Sequence, residues 1–340
     1  VGVIIPARNE ADLIAGTIEC HLAGDYPGDM RLVVVDERSS DATADVAGQL
    51  LGARHLTIDG APLPEGWAGK VWGMEQGVRA LDAQPGGAPE WLLLTDADIH
   101  HSPDSLRALV ASAVAGGVGL ESRMARLRCV SGPERLLIPP FVLFFFLLYP
   151  LRWANRAGSR IASAAGGCIL VRRDALAAGG GFESIKGSLI DDLAMARLVK
   201  FRAGLPTRLA LSRTRVVSER AYDDLDSIWT MVRRSAFTQL RRSWLLLAAV
   251  SLALLLMFAG PLAAVALGAV ETATGAGSTG LITLALGLLG WLAMAAAAGP
   301  VTREFGLPWP WRFALPVSGL LYGAMTVDSA IRGPKGGGWR

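Results

Sequence analysis

Short uninterrupted apolar runs alternate with amphipathic stretches over the first half of the chain, and long uncharged runs fill its last third. Residues 1–5, 31–35 and 91–95 are largely apolar runs that read as buried strands, residues 54–58 read as a further strand, and residues 10–22, 41–51 and 70–81 have the periodicity of helices between them. Strands alternating with helices of this length predict βαβ units and a mostly parallel sheet, an α/β fold. Ser102 followed by Pro103 has the form of an N-cap with proline at the first helical position, which predicts a helix over 103–114. Further on, residues 119–128 and 168–172 predict strands, and Gly179 to Gly181 a loop. Residues 188–202 then predict a helix with Asp191 and Asp192 in its first turn.

The last third is different. Residues 244–270 and 272–302 contain no charge, and each exceeds the about 20 residues that a helix needs to cross a hydrocarbon core of about 30 Å. A third stretch, 313–327, stops at Asp328 and reads as a span, a re-entrant element or an interfacial helix. Segment 136–151, with Phe141, Phe144, Phe145 and Phe146 beside Pro139, Pro140 and Pro150, is short for a span. It is expected to be an interfacial or re-entrant helix, with a buried core helix as the alternative. The expected division is therefore a domain over 1–220, an amphipathic interfacial segment over 221–243, a membrane region of two to three helices over 244–331 and a tail over 332–340.

Charge orients this arrangement. Arg233, Arg234, Arg241 and Arg242 precede the first long apolar run, whereas 271–280 has neither Lys nor Arg, so the N-terminal part is expected on the cytoplasmic side. Three spans would put Arg332, Lys335 and Arg340 outside, and two spans plus an interfacial segment would keep them inside. Trp229 and Trp244 suit interfacial anchors. The net charge of +3, with no basic patch interleaved with aromatics, argues against a nucleic-acid partner. Cys20, Cys129 and Cys168 have neither metal-ligand spacing nor a disulfide framework, as expected in a reducing compartment. Because the chain starts at Val1, inside an apolar strand, a preceding segment is expected.

Candidate chemistry gathers where the apolar strands end. Residues 91–95 run straight into Asp96 and Asp98, hard oxygen ligands that could hold Mg2+ or Mn2+ against a diphosphate; the alternative is a turn into the next helix. Asp36 ends the second strand, where an acidic side chain can accept hydrogen bonds from ribose hydroxyls or a base NH. Asp41 and Ser40 suit helix capping. Arg8 and Glu10 flank Asn9 after the first strand and would line the same crevice. Lys70 could neutralise a phosphate or be a solvated surface charge. Asp191 and Asp192 either stabilise a helix N-terminus or supply a general base. His100 and His101 are expected in a surface loop. No Walker loop, G-x-S-x-G elbow or H-E-x-x-H string occurs.

Taken together, PARNE at 6–10, Asp36 in VVVDERSSDAT, AGKVWGMEQG around Lys70, the D-x-D of Asp96 and Asp98, GGGF at 179–182 and the acidic pair Asp191 and Asp192 resemble, in order, the family 2 inverting glycosyltransferases of GT-A fold. The resemblance covers about residues 1 to 240. PEGWAGKVWG at 64–73 with a C-terminal membrane tail is similar to the hopene-associated glycosyltransferases, with ceramide glucosyltransferase-like enzymes as wider kin. The resemblance implies that Ala7 and Glu10 lie at a uridine pocket, that Asp36 binds base or ribose, and that Lys70 lies near the nucleotide-sugar. It further implies that Asp96 contacts the ribose or sugar side, that Asp98 ligates the metal with Asp96 beside it, and that Asp192, next to Asp191, is the base. Departures are Asp36-Glu37 for the usual D-D, D-D for E-D at the base, and no Q/R-x-x-R-W string. Arg233 and Arg234 approximate that string against the diphosphate.

The expected activity is transfer of a hexosyl or N-acetylhexosaminyl group from a nucleotide-sugar, UDP-linked, to a hydroxyl of a lipid acceptor such as a hopanoid, at the inner membrane of a bacterium. A processive polysaccharide synthase and a non-catalytic nucleotide-sugar-binding scaffold are the alternatives.

Overall fold

The computed structural model describes residues 1–52, 55–275 and 277–333. Its described residues divide into two compact units, 1–128 with 149–220 and 129–148 with 221–333. In chain order the elements are β1 (Gly2–Ala7), α1 (Ile14–Leu22), β2 (Arg31–Asp36), α2 (Thr43–Leu50), β3 (Leu56–Asp59), α3 (Gly69–Ala83), β4 (Trp91–Thr95), β5 (Ile99–His101), α4 (Ser105–Gly116) and β6 (Leu120–Met124). There follow α5 (Gly132–Leu148), α6 (Leu151–Ala154), β7 (Cys168–Arg172), α7 (Arg173–Ala178), α8 (Asp191–Arg197), β8 (Thr207–Leu211) and β9 (Val216–Ser218). The chain ends in α9 (Leu225–Arg233), α10 (Ala236–Gln239), α11 (Trp244–Ala273), α12 (Ser278–Glu304) and α13 (Leu315–Arg332).

In the first unit, the sheet order among the described residues is β3-β2-β1-β4-β7-β6-β8. β3, β2, β1 and β4 are mutually parallel, and only β7 opposes its neighbours. This is the mostly parallel sheet that the strand–helix alternation implies, and it is in keeping with the GT-A fold that the resemblance implies. β1, β2 and β4 are buried along their whole length, because helices cover both faces and a core lies on each side. After β1 the chain builds outward to β3 and then returns to add β4 on the other side of β1. That reversal leaves a crevice beyond the carboxyl ends of β1 and β4, the usual place for a ligand in such sheets. α3 packs closely over β1 because its inner face carries glycine: a Cβ at Gly77 would strike Ile4, and one at Gly73 would crowd Pro6.

Two local expectations are corrected. Ser102 does not cap a helix: its Oγ donates to Asp104 Oδ1 at 2.7 Å, and residues 103–104 form a turn before α4 begins at Ser105. Pro103 thus precedes the helix instead of opening it. His101 is not in a surface loop but buried on β5, which pairs with β9. Its ring meets Thr95 Oγ1 at 3.2 Å and Ser105 Oγ at 3.1 Å and packs on His21. Burial holds it well below the ordinary histidine range, so it is a neutral post beneath the end of β4. Expected strand residue Arg54 lies outside the described residues.

The second unit contains three long apolar helices among the described residues. α5 opens with a capping box: Ser131 Oγ accepts from Glu134 N, while buried Glu134 accepts from the Val130, Ser131 and Tyr222 amides. Pro139 and Pro140 sit inside α5. Proline donates no hydrogen bond, so Pro140 frees the carbonyl of Leu136, and Ser318 Oγ of α13 donates to that oxygen at 2.7 Å. α11 and α12 approach through glycine, with Gly268 facing Leu284 and Gly280 facing Thr272, the small-residue contact typical of apolar helix pairs.

Gly77→Ala should overpack the α3–β1 contact and lower stability by about 1–3 kcal/mol. Thermal unfolding of the detergent-solubilised chain measures this, and an unchanged melting temperature would contradict the close approach.

Candidate active site

Loops from the ends of β1 and β2 are stitched together over the crevice. Asn9, in a left-handed conformation with φ 55°, donates its amide to Ser39 Oγ at 2.9 Å and accepts from Ser40 N at 2.8 Å. Glu10 N donates to Thr43 Oγ1 at 2.8 Å, and Ala11 N to Asp41 Oδ2 at 3.2 Å. Asn tolerates φ > 0 better than most residues, and its side chain supplies the cross-link that this turn needs. Ala7 is buried at the end of β1, where its carbonyl accepts from Glu37 N.

Lys70, at the start of α3, is the hub of the site. Its Nζ lies 2.5 Å from Asp96 Oδ1, 3.4 Å from Asp191 Oδ2 and 3.5 Å from the Gly166 carbonyl. Burial disfavours the ammonium, but the attraction of Asp191 and Asp96 outweighs this and raises its pKa above the ordinary lysine value. Lys70 is therefore an internal cation, not a solvated surface charge. Asp192 accepts from Gly166 N at 3.1 Å and Leu193 N at 2.7 Å. Burial pushes its carboxyl up to about 7, the charge of Asp191 adds to the rise, and Lys70 opposes it. Burial likewise raises Asp96, with Lys70 opposing and Asp98 reinforcing the shift.

Beside this cluster, Arg220 ties Glu10 to Asp98. It donates to Glu10 Oε1 at 2.5 Å and to Asp98 Oδ2 at 3.3 Å, and Ser218 Oγ also donates to Asp98 Oδ2, at 2.8 Å. Burial raises Glu10 above the ordinary glutamate range, with Arg220 opposing and Asp98 and Asp96 adding to the rise. The structure thus brings Glu10, Asp96, Asp98, Asp191 and Asp192 together with Lys70 and Arg220, five carboxylates against two cations. Arg233 and Arg234 belong to the second unit, where Arg233 faces Asp328 at 3.7 Å.

A cavity of about 550 Å³ opens over the same strand ends, lined by Arg8, Glu37, Arg38, Ser39, Gly60, Ala61, Leu63, Gly69, Trp72 and Gln76. Asp36, at the end of β2, accepts from Ser39 N at 3.1 Å through Oδ2, while its buried Oδ1 has no partner. Gln76 accepts from Ala61 N at 2.6 Å and its buried Nε2 has none. Burial pushes Glu37 up to about 7, against the pull of Arg8. Polar groups left unsatisfied beside a cavity are what a ligand would complete.

A hard divalent ion fits this donor chemistry on one condition. The site is acid-rich and oxygen-only, as Mg2+ and Mn2+ prefer, but among the described residues no three His, Cys, Asp or Glu side chains group to hold a metal. Asp96 and Asp98 would need donor phosphate oxygens to complete the shell, which is how such ions are commonly bound at nucleotide sites.

Sequence reasoning missed Arg220, Ser218 and the Gly166–Gly167 turn. One signal was present: Val216 and Val217 run into Ser218, Glu219 and Arg220 just as the apolar run of β4 runs into its carboxylates. The Gly166 contacts with Lys70 and Asp192 had none, because they depend on residues 96 and 26 positions away meeting at one backbone.

Residues 2–180 match the family described as Glycosyl transferase family 2. The chain belongs to that family. No curated protein matches it. Among solved structures it is similar to the mannosyltransferase PcManGT from Pyrobaculum calidifontis in complex with GDP-Man and Mn2+, at 19% identity over 98% of this chain and 86% of that one, with a TM-score of 0.50. It is also similar to glucosyl-3-phosphoglycerate synthase from Mycobacterium tuberculosis, at 22% identity over 71% of this chain and 78% of that one, TM-score 0.42. A third is S. aureus TarS, at 15% identity over 69% and 38%, TM-score 0.45. At 19% identity the likeness to PcManGT speaks for the fold alone, and it agrees with the sheet described above.

Arg220→Met should expose the repulsion between Glu10 and Asp98 and cost about 1–2 kcal/mol at pH 7, a moderate loss because the Arg220 side chain itself is 35% exposed. The loss should shrink in acid as Glu10, raised by burial, protonates. Urea unfolding at the two pH values checks this; an equal loss at both would show that Arg220 acts through packing alone.

Proposed function

We propose that this family 2 chain is a membrane-associated inverting glycosyltransferase that moves a sugar from a nucleotide-sugar, UDP-linked, to a hydroxyl of a lipid acceptor, with a hopanoid as the acceptor favoured by the resemblance. One observation carries the reading: a carboxylate poised near neutrality, Asp192, stands in the same buried cluster as the Lys70–Asp96 pair at the crevice between β1 and β4. A general base works best with a pKa close to the working pH, where it is both available and strong enough. Asp192 takes the proton of the attacking hydroxyl, and Asp191 raises its basicity. The cavity beside Asp36 takes the nucleoside, where the unpartnered Asp36 oxygen accepts from ribose or base and Gln76 contributes a donor. Lys70 stands at the sugar-diphosphate end and keeps Asp96 oriented.

Asp98, with Asp96, would hold Mg2+ or Mn2+ together with donor phosphates. Bound there, the metal would offset the charge that develops on the nucleoside diphosphate as it leaves. PcManGT, crystallised with GDP-Man and Mn2+, is in keeping with a nucleotide donor and a divalent ion. The lipid acceptor is supported by the apolar helices that share this chain, which suggest membrane association; the positive-inside rule supports a cytoplasmic face of the inner membrane for the first unit.

Asp192→Asn and Asp98→Ala should each lower sugar transfer at least about a hundredfold with folding retained, assayed with UDP- and GDP-sugars against lipid extracts. Full activity in either variant would remove its residue from the proposed chemistry. Because the base works deprotonated, kcat/KM of the native chain should rise with pH and level off above about 7. Glu37→Gln should leave that inflection in place; its disappearance would assign the titration to Glu37.

A further inference from the structure

Contacts inside the second unit fix the direction of each apolar helix. Gly268 faces Leu284, Gly280 faces Thr272 and Gly287 faces Val265, so α11 and α12 run antiparallel and the Glu304 end of α12 returns to the level of Trp244. On α13, Gly319 lies against Phe258 and Gly323 against Leu254. Ser329 accepts from Phe237 N at 3.0 Å and donates to the Arg233 carbonyl at 2.6 Å, and Phe237 in turn packs on Trp244. α13 is therefore also antiparallel to α11, and its Arg332 end lies at the Trp244 face.

The start of α13 is deep. Trp291, midway along α12, donates to the Phe313 carbonyl at 3.1 Å, and Leu315 packs with Phe258, Met294 and Ala298. A chain that leaves α12 at the Trp244 face, reaches the middle of the bundle at Phe313 and comes back to that face at Arg332 has not crossed.

The same face carries an unusual turn. Arg241 and Arg242 both hold left-handed backbone, φ 53° and 54°. Their amides close α10 onto the Thr238 and Phe237 carbonyls at 3.0 Å each, and Ser243 Oγ then caps α11. Glycine is the unstrained residue for such a helix end. Two consecutive arginines instead carry strain, and both are exposed beside exposed Trp244 and Leu245. Strain of this kind persists where something else compensates it.

We infer that residues 305–332 form a re-entrant hairpin, and that Arg234, Arg241, Arg242 and Arg332, gathered by it at one face, make a basic collar for anionic phospholipid headgroups. Arg332 keeps 74% of its side chain exposed at that face. Arginines and tryptophan at the mouth of an apolar helix are the arrangement that an anionic lipid surface attracts. The hairpin also accounts for the arginine that follows the last apolar stretch without placing it on the far side.

Reporter fusions to the full chain test the first half. Green fluorescent protein and alkaline phosphatase, placed after residue 333 or between α11 and α12, should report opposite sides of the membrane. Both positions reporting the same side would overturn the hairpin. For the collar, R241G/R242G keeps the left-handed turn and removes the charge. In nanodiscs of phosphatidylcholine with phosphatidylglycerol, the melting temperature of the native chain should rise over phosphatidylcholine alone. The double variant should lose that rise while melting no lower in phosphatidylcholine. A full phosphatidylglycerol response in the variant would overturn the collar.

Discussion

The ion pairs of Lys70 are the constraint on which the site depends. A buried ammonium is costly, and it is stable here because Asp96, Asp191 and the Gly166 carbonyl converge on it from three separate stretches of chain. Each partner is fixed by its own element: Asp96 by the end of β4, Asp191 by the first turn of α8, Lys70 by the first turn of α3. Gly166 does double duty, its carbonyl facing Lys70 and its amide held by Asp192. The cation therefore fixes where the carboxylates stand and also opposes the rise that burial gives Asp96 and Asp192.

The sheet order turns that local arrangement into a site. The reversal between β1 and β4 puts the Asn9 turn and the Asp96–Asp98 turn on either side of one crevice, and the Ser39–Thr43 segment locks the first of these to the end of β2. Arg220 closes the circuit, since it lies two residues beyond β9, the strand that pairs with β5, and holds Glu10 and Asp98 at once. Carboxylates still outnumber cations there, and unsatisfied polar atoms remain at Asp36 and Gln76.

Much of this was legible in the sequence, for identifiable reasons. β4 and its carboxylates were readable because an apolar run that stops at two acids is a local pattern, and α3 because its periodicity is regular. Asp36 stood out because no helix cap required it. Other features resisted reading for equally physical reasons. His101 looked like a loop residue because its partners, Thr95, Ser105 and His21, become neighbours only when β5 folds back under β4. Ser102-Pro103 matched a capping pattern, but the Ser102 hydroxyl had a nearer acceptor in Asp104. The role of Lys70 as a buried hub could not be separated from a surface charge until Asp191, far along the chain, was placed beside it.

The second unit, with its long apolar helices, shows where composition stops being informative. Hydropathy measures how long an apolar segment is, and by length and composition Trp309–Arg332 qualifies as a span. It carries no information about direction or about the depth at which a helix begins. Those are set by pair contacts: Trp291 with Phe313 at mid-bundle, Gly319 with Phe258, Ser329 with Arg233. Asp328 illustrates the difference. Read along the chain it merely ends an apolar run, whereas in the structure it accepts from Trp229 Nε1 at 2.9 Å and faces Arg233 and Arg332. An acid at the tip of an apolar helix is tolerable when the helix returns to the polar face where its partners already stand, so the same residue that stops the run also marks the side on which the run must end.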